Sequence, residues 1–299
     1  MTLKKLTKFL AVGALAATVA VPLTTSSVRA DSLTIGFSQI GSESGWRAAE
    51  TKVAKIEAEK RGVTLKIADA QQKQENQIKA IRSFIAQGVD AIFVAPVVAT
   101  GWDTVLGEAK QANIPVVLLD RNIDTKDESL YLTAVTSDQV LEGKVAGDWL
   151  AKQTGGKCDI VELQGTVGSS PAINRKKGFE EAISSHPDMK ITRSQSGDFT
   201  RAGGKEVMES FIKATNGGKG ICAVYAHNDD MMIGAIQAMA DGDANATVEL
   251  SPNMAGPAFD AIAAYKKSGT VPPKWIQTPS TLHLPDTAQA EYDKRKDMY

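Results

Sequence analysis

The side chains able to do chemistry in this chain gather just after short apolar runs. Asp120-Arg121 follows the run 115–119, Asn228-Asp229 follows 223–226, and the polar stretch 164–175, which contains Arg175, follows 159–163. Ser38-Gln39 leading to Trp46-Arg47, then Asp69, 96–102 and 196–201, stand in equivalent places. Planar polar groups dominate this set, and an indole accompanies them. Carboxylates accept hydrogen bonds from hydroxyls, Arg and Asn bond in a fixed plane, and an indole covers an apolar C–H face. The combination suits a polyhydroxylated small molecule such as a sugar. Each residue also has a plainer use. Asp120-Arg121 can be a local ion pair in a turn, and Trp46 can be packing at a helix start. Arg175 can be one solvated charge in Asn174-Arg175-Lys176-Lys177, and Asn228 an N-cap.

Patterns that carry catalysis are missing. There is no P-loop, GxGxxG, GxSxG elbow or HExxH. The run His227-Asn228-Asp229-Asp230 cannot easily turn every side chain to one ion, and only His186 and His283 remain as further imidazoles. No metal or cofactor is expected. A secreted carbohydrate-active enzyme would need two spaced carboxylates, for which Asp120 and Asp229 are the available pair. Arg121 beside the first would keep it ionised rather than acidic, so no catalysis is expected.

Two α/β cycles must position these loops. In the first, strands at 33–38, 63–68, 91–95, 115–119 and 130–135 alternate with helices at 45–60, 74–87, 102–112 and 139–152. The continuous apolar runs 91–95 and 115–119 read as strands covered on both faces. Ser137 reads as the cap of the helix from Gln139, with Asp138 in its first turn. The second cycle has strands at 159–163, 190–196 and 223–226 and helices at 172–185, 203–214 and 230–239. The rhythm then demands another strand before 246–250, and none is present. A helix at 254–267 and a charged helix at 286–296 close the chain. The fold class is α/β: two doubly wound parallel-sheet lobes with a hinge and a cleft between them, the second lobe short of about one strand–helix unit. Ligands in such sheets lie beyond the carboxyl ends of the strands.

Composition sets the outer limits. The first thirty residues read as a cleavable secretory signal: Lys4, Lys5 and Lys8, an apolar run at 9–21, and Val28-Arg29-Ala30 before Asp31. The 299-residue chain has a net charge of −1; without those residues, which hold four cations and no acid, it is −5. That charge gives no basic footprint for nucleic acid, and no other run is apolar enough to insert in a membrane. Export to the periplasm is expected. The only cysteines, Cys158 and Cys222, precede the first and third strands of the second cycle. Those strands are parallel neighbours in a 2-1-3-4-5 sheet, roughly 5 Å apart, so a disulfide is expected; two buried free thiols are the alternative.

Longer segments carry a resemblance. They are Gly36-Phe37-Ser38-Gln39, Glu43-Ser44-Gly45-Trp46-Arg47-Ala48-Ala49-Glu50, Ala95-Pro96-Val97-Val98-Ala99-Thr100-Gly101-Trp102 and Leu118-Leu119-Asp120-Arg121. Further on come Val161-Glu162-Leu163-Gln164-Gly165-Thr166, Tyr225-Ala226-His227-Asn228-Asp229-Asp230-Met231 and Pro252-Asn253-Met254-Ala255-Gly256-Pro257. Together they resemble the periplasmic sugar-binding proteins of ABC transporters, in the ribose/galactose-binding group and nearest its galactofuranose-binding branch. The resemblance implies a monomer of two lobes joined by three crossovers: 31–136 plus 251–277, and 137–250 plus 278–299. It implies that Asp120 and Arg121 bond sugar hydroxyls from the first lobe, Arg175 and Asn228 from the second, and that Trp46 and Arg47 line the first lobe's face. Glu249 takes a polar position on the hinge side. The implied partners are a galactofuranose-like monosaccharide and an ABC permease. The family also has a strand, a turn and a helix between the stretches matching Met239 and Asp241, the strand ending in an Asp-Gly pair whose Asp binds the sugar. This chain has neither the strand nor the helix, so impaired sugar binding is expected, with a ligand-dead paralogue as the alternative.

Overall fold

The computed structural model describes residues 33–239 and 244–295. The expected leader and the mature start at Asp31 lie outside these residues, as does 240–243, where the missing unit would begin.

The first sheet takes β1 (Thr34–Gln39), β2 (Thr64–Asp69), β3 (Ala91–Val94), β4 (Val116–Leu119), β5 (Thr133–Ser137) and β10 (Trp275–Thr278). Its order is β10-β5-β4-β3-β1-β2, and every pairing is parallel. β3 and β4 are buried along their whole length because helices cover both faces. On one face Ala54 and Ala58 of α1 (Gly45–Lys60) and Phe259 and Ile262 of α8 (Ala255–Ser268) pack with Phe37, Phe93 and Leu119. On the other, Ile81 and Phe84 of α2 (Gln74–Ala86) and Val105 and Leu106 of α3 (Asp103–Gln111) meet Ile92, Val94 and Leu118.

The second sheet is β7 (Asp188–Ser196), β6 (Lys157–Gln164) and β8 (Ala223–Ala226), in the order β7-β6-β8 and parallel. α4 (Gln139–Thr154) and α5 (Ser170–Ile183) cover one face with Leu150 and Phe179. α6 (Arg201–Ala214) and α7 (Asp229–Ala238) cover the other with Val207, Phe211, Met231 and Ala235. α4 and α5 approach so closely that a Cβ at Gly143 would sit 2.0 Å from the Arg175 carbonyl oxygen. Cys158 and Cys222 are joined in a disulfide with their Cα atoms 5.3 Å apart, at the matching ends of β6 and β8. The neighbouring position of those strands makes this possible.

β9 (Thr247–Leu250) does not join this sheet. It pairs antiparallel with β11 (Ser280–His283). Among the described residues, β8 and β9 are therefore both edge strands, and no strand lies between them. α9 (Pro285–Arg295) closes the chain. None of the described helices is long and apolar enough to cross a membrane.

Three local features differ from the sequence expectations. Asp138, not Ser137, caps α4: its side chain accepts from Leu141 N at 2.9 Å, while Ser137 is the last residue of β5. β5 starts at Thr133 because 128–130 form a short 3₁₀ turn capped by Asp127. β10 and β11, four residues each, are too short for the alternation to mark them.

Candidate functional site

Helix α1 begins the site. Ser44 caps it by accepting from Arg47 N at 3.1 Å. Arg47 lies one turn in, on the helix's buried face with Glu50. Arg47 is 2 % exposed, and its guanidinium donates three ways: Nη1 to Glu50 at 2.5 Å, Nη2 to Asp120 at 2.6 Å and Nε to Glu43 at 3.1 Å. Burial opposes the Arg47 charge, but Glu50, Asp120 and Glu43 more than restore it, and its pKa rises. A buried cation left without such partners would cost several kcal/mol, about 3–5 on loss of one partner. Burial also raises the Glu50 pKa, against the pull of Arg47.

Asp120 projects from the carboxyl end of β4 on a strained backbone. Its φ is +63°, a left-handed conformation uncommon outside glycine. Arg121 N donates to Leu119 O at 2.6 Å around it, closing a three-residue γ-turn. Gln139, the first residue of α4, donates to the Asp120 carbonyl at 2.7 Å and fixes the turn. Strain of this kind persists only where the surroundings over-determine it, and it concentrates at ligand sites.

The turn throws Arg121 across the cleft. Its Nη1 donates to Val97 O at 2.9 Å, and its guanidinium carbon lies 5.1 Å from the Phe199 ring centre. Burial first, then the nearby Arg47 charge, push its pKa down to about 10, so it remains a cation at neutral pH. Arg121 Nε, 3.7 Å from the Asp120 carboxylate, and Glu43 Oε2 are buried with no hydrogen-bond partner in the protein. A buried donor and a buried acceptor left open in this way are what a bound hydroxylated ligand satisfies.

From the opposite side, Arg175 of α5 donates through Nε to Glu142 at 2.8 Å and through Nη1 to the His227 carbonyl at 2.8 Å. The glycine contact of α4 with α5 brings Glu142 and Arg175 together. Asn228 does cap α7, accepting from Met231 N at 3.0 Å, and it also donates to Phe199 O at 2.9 Å. Trp46 donates its indole N–H to Leu250 O at 2.9 Å, and the Arg47 guanidinium lies 4.9 Å from its ring centre. Glu249 meets His283 at 2.6 Å, tying β9 to β11.

All seven sequence candidates, Trp46, Arg47, Asp120, Arg121, Arg175, Asn228 and Glu249, line one cavity of about 460 Å³. Its two walls touch: Gly45 N donates to Asp230 at 2.8 Å, Ala99 N to Gly168 O at 2.8 Å, and Asn122 N to Ser170 at 2.9 Å. Asp69 lies elsewhere, bonding Gln71 N near the far edge of the first sheet. Reading strand ends passed over Glu50 and Glu142, which orient the arginines from within helices. An acid at a position of the buried helical stripe was the available signal for both.

A periplasmic binding protein domain matches residues 35–276. The galactofuranose-binding protein YtfQ of Escherichia coli (strain K12) is 67% identical, covering 89% of this chain and 92% of that protein. The alignment runs over 293 positions yet takes in only 89% of these 299 residues, so about 27 positions of the relative have no counterpart here. Among solved structures, the periplasmic component of the arabinose ABC transporter of Shewanella sp. ANA-3, bound to α- and β-L-arabinofuranose, has a TM-score of 0.85 at 55% identity, covering 89% of this chain and 96% of that one. A Mycobacterium smegmatis protein in complex with β-D-fucofuranose has a TM-score of 0.84 at 44% identity, with the same coverage of 89% and 96%.

Proposed function

The chain belongs to the periplasmic binding proteins, and we propose that it captures a monosaccharide in the furanose form, galactofuranose-like, and delivers it to an ABC permease. The observation that carries this is the convergence of Arg47, Asp120, Arg121, Arg175 and Asn228 on one cavity beside the Trp46 indole. Charged planar groups held rigidly by their neighbours bind hydroxyls in a fixed pattern, and a sugar lacking a matching hydroxyl leaves a buried group unpaired. The relatives bind galactofuranose, L-arabinofuranose and β-D-fucofuranose by name, three five-membered sugar rings.

The lobes we assign are 31–136 plus 251–277 and 137–250 plus 278–299, hinged so that the sugar is enclosed between them. The N-terminal thirty residues direct the chain to the periplasm, where it acts as a monomer. It performs no catalysis: Asp120, the carboxylate best placed for an acid, has an oxygen already engaged by Arg47 at 2.6 Å. The missing strand–helix unit weakens sugar binding, since it takes a strand-end acceptor with it.

Asp120→Asn tests the reading. Asn tolerates a left-handed backbone, so the turn survives while the charge is lost. Made in a chain with the relative's roughly 27 unmatched positions restored, the substitution should lower galactofuranose affinity, followed by Trp fluorescence, about ten- to a hundredfold. Unchanged affinity would remove Asp120 from the site.

A further inference from the structure

The run His227-Asn228-Asp229-Asp230 holds two carboxylates that the proposed sugar contacts leave unused. Its side chains turn apart. Asn228 caps α7, and Asp229 accepts from the Thr247 hydroxyl at 2.7 Å. Asp230 reaches across the cleft. Its Oδ2 accepts at 2.8 Å from Gly45 N, the first amide of α1, while Oδ1 accepts at 3.0 Å from Arg201 Nη2 of α6. α1 packs on the first sheet, and α6 and α7 pack on the second. The first turn of α1 holds no acid of its own, and the Ser44 hydroxyl is taken by Arg47 N. Asp230 itself stands in the first turn of α7. One carboxylate therefore lies at the amino ends of two helices that belong to different sheets, with its side chain only 14 % exposed. Both helix ends carry partial positive charge and amides in need of acceptors, so an acid between them is stabilising. Of the bonds between the two walls named above, this one carries a full charge. The others, Ala99 N to Gly168 O and Asn122 N to Ser170, join neutral groups.

We propose that Asp230 is a latch, which holds the two lobes closed by a bond between helix ends that involves no sugar hydroxyl. It is a positioning residue: it acts through closure of the lobes, and its two oxygens are engaged by Gly45 and Arg201. The inference rests on the two-lobe reading given above, but not on the identity of the sugar. Because α1 and α7 ride on different sheets, the bond breaks whenever the lobes part. The latch then slows the release of every captured ligand alike, while the choice among ligands stays with Arg47, Asp120, Arg121 and Arg175.

Distances between spin labels on the two lobes test this in the full mature protein with no sugar added, so failure of the furanose reading leaves the test intact. The labels go on Lys79→Cys of α2 and Lys177→Cys of α5, both exposed and outside the cavity lining; the native cysteines are paired and stay unlabelled. The expected result is a wild-type population at the distance of this structure, which falls about tenfold relative to the parted one in Asp230→Ala. Gly45→Pro removes the donor from the other lobe and leaves Asp230 in place. Proline suits the first position of a helix, and Ser44 before it is already extended, with φ −143° and ψ 159°. This variant should part the lobes as far as Asp230→Ala does, and the double variant should go no further than either single one. A wild-type protein with parted lobes only, an unchanged ratio in either single variant, or additive losses in the double variant would overturn the proposal.

Discussion

Arg47 shows how one side chain can hold the centre of the site. It ties α1 to β4 through Asp120 and shares its charge among three acids, all of them buried. Arg47→Met should leave those acids unpaired and lower stability by about 3–5 kcal/mol, measured as the urea midpoint at constant slope. Glu162 makes a second residue-scale test. Burial alone would raise its pKa, but hydrogen bonds from His227, Lys176 and Ser194 bring it down to about 2. Burial lowers the pKa of His227 itself, so the pair stands as carboxylate and neutral imidazole. Both folded values lie below the unfolded ones. Their stabilisation is therefore present above the unfolded pKa values and is lost as pH falls, from about 6.5 for the histidine and from about 4.3 for the glutamate. Urea midpoints should hold steady from pH 8 to 7 and drop between pH 6.5 and 3, and Glu162→Gln should flatten the lower part of that fall. A midpoint that rises on acidification would contradict the assignment.

At the scale of elements, the parallel neighbours β6 and β8 bring Cys158 to Cys222 across a sequence separation of 64. Chain entropy for a loop of that size is worth about 4 kcal/mol at most. The Cys158→Ala/Cys222→Ala pair should lose up to that amount, and the wild-type protein should show no titratable thiol in denaturant without reductant. The long helices and the buried strands β3 and β4 were legible in the chain, because apolar period and length agree there. So were the strand-end residues, because parallel topology puts every β-to-α loop on one side. The cap of α4 was misread since Ser137 and Asp138 are both good caps, and only the pairing of Ser137 with Thr278 of β10, which keeps it in the strand, decides between them. β10 and β11 escaped because four residues carry too little alternation. Glu142 escaped because its partners, Arg175 and Ser280, are far away in sequence; Glu50 escaped because it sits within a helix, away from the strand ends, although Arg47 is only one turn before it.

The whole molecule is organised around one cavity lined by residues of both sheets. The break in the α/β rhythm before residue 246 was visible in the sequence, and the sheet order places its consequence between β8 and β9. What the sequence did not disclose is that one cavity reaches from the polar residues at the strand ends to Val224 of β8 and Val248 of β9. At this scale export is tested first: protein recovered from the periplasm should begin Asp-Ser-Leu, and a cytoplasmic chain retaining Met1 would refute the leader. The central claim is that the cavity is a furanose site weakened by the missing unit. Calorimetric titration with galactofuranose, of this chain and of one with the relative's roughly 27 positions restored, tests it most directly. The account predicts clear binding by the restored chain and binding about ten- to a hundredfold weaker, or none, by the chain as it stands. Equally tight binding by both would contradict the role given to the missing unit, and failure of the restored chain to bind would contradict the furanose site itself.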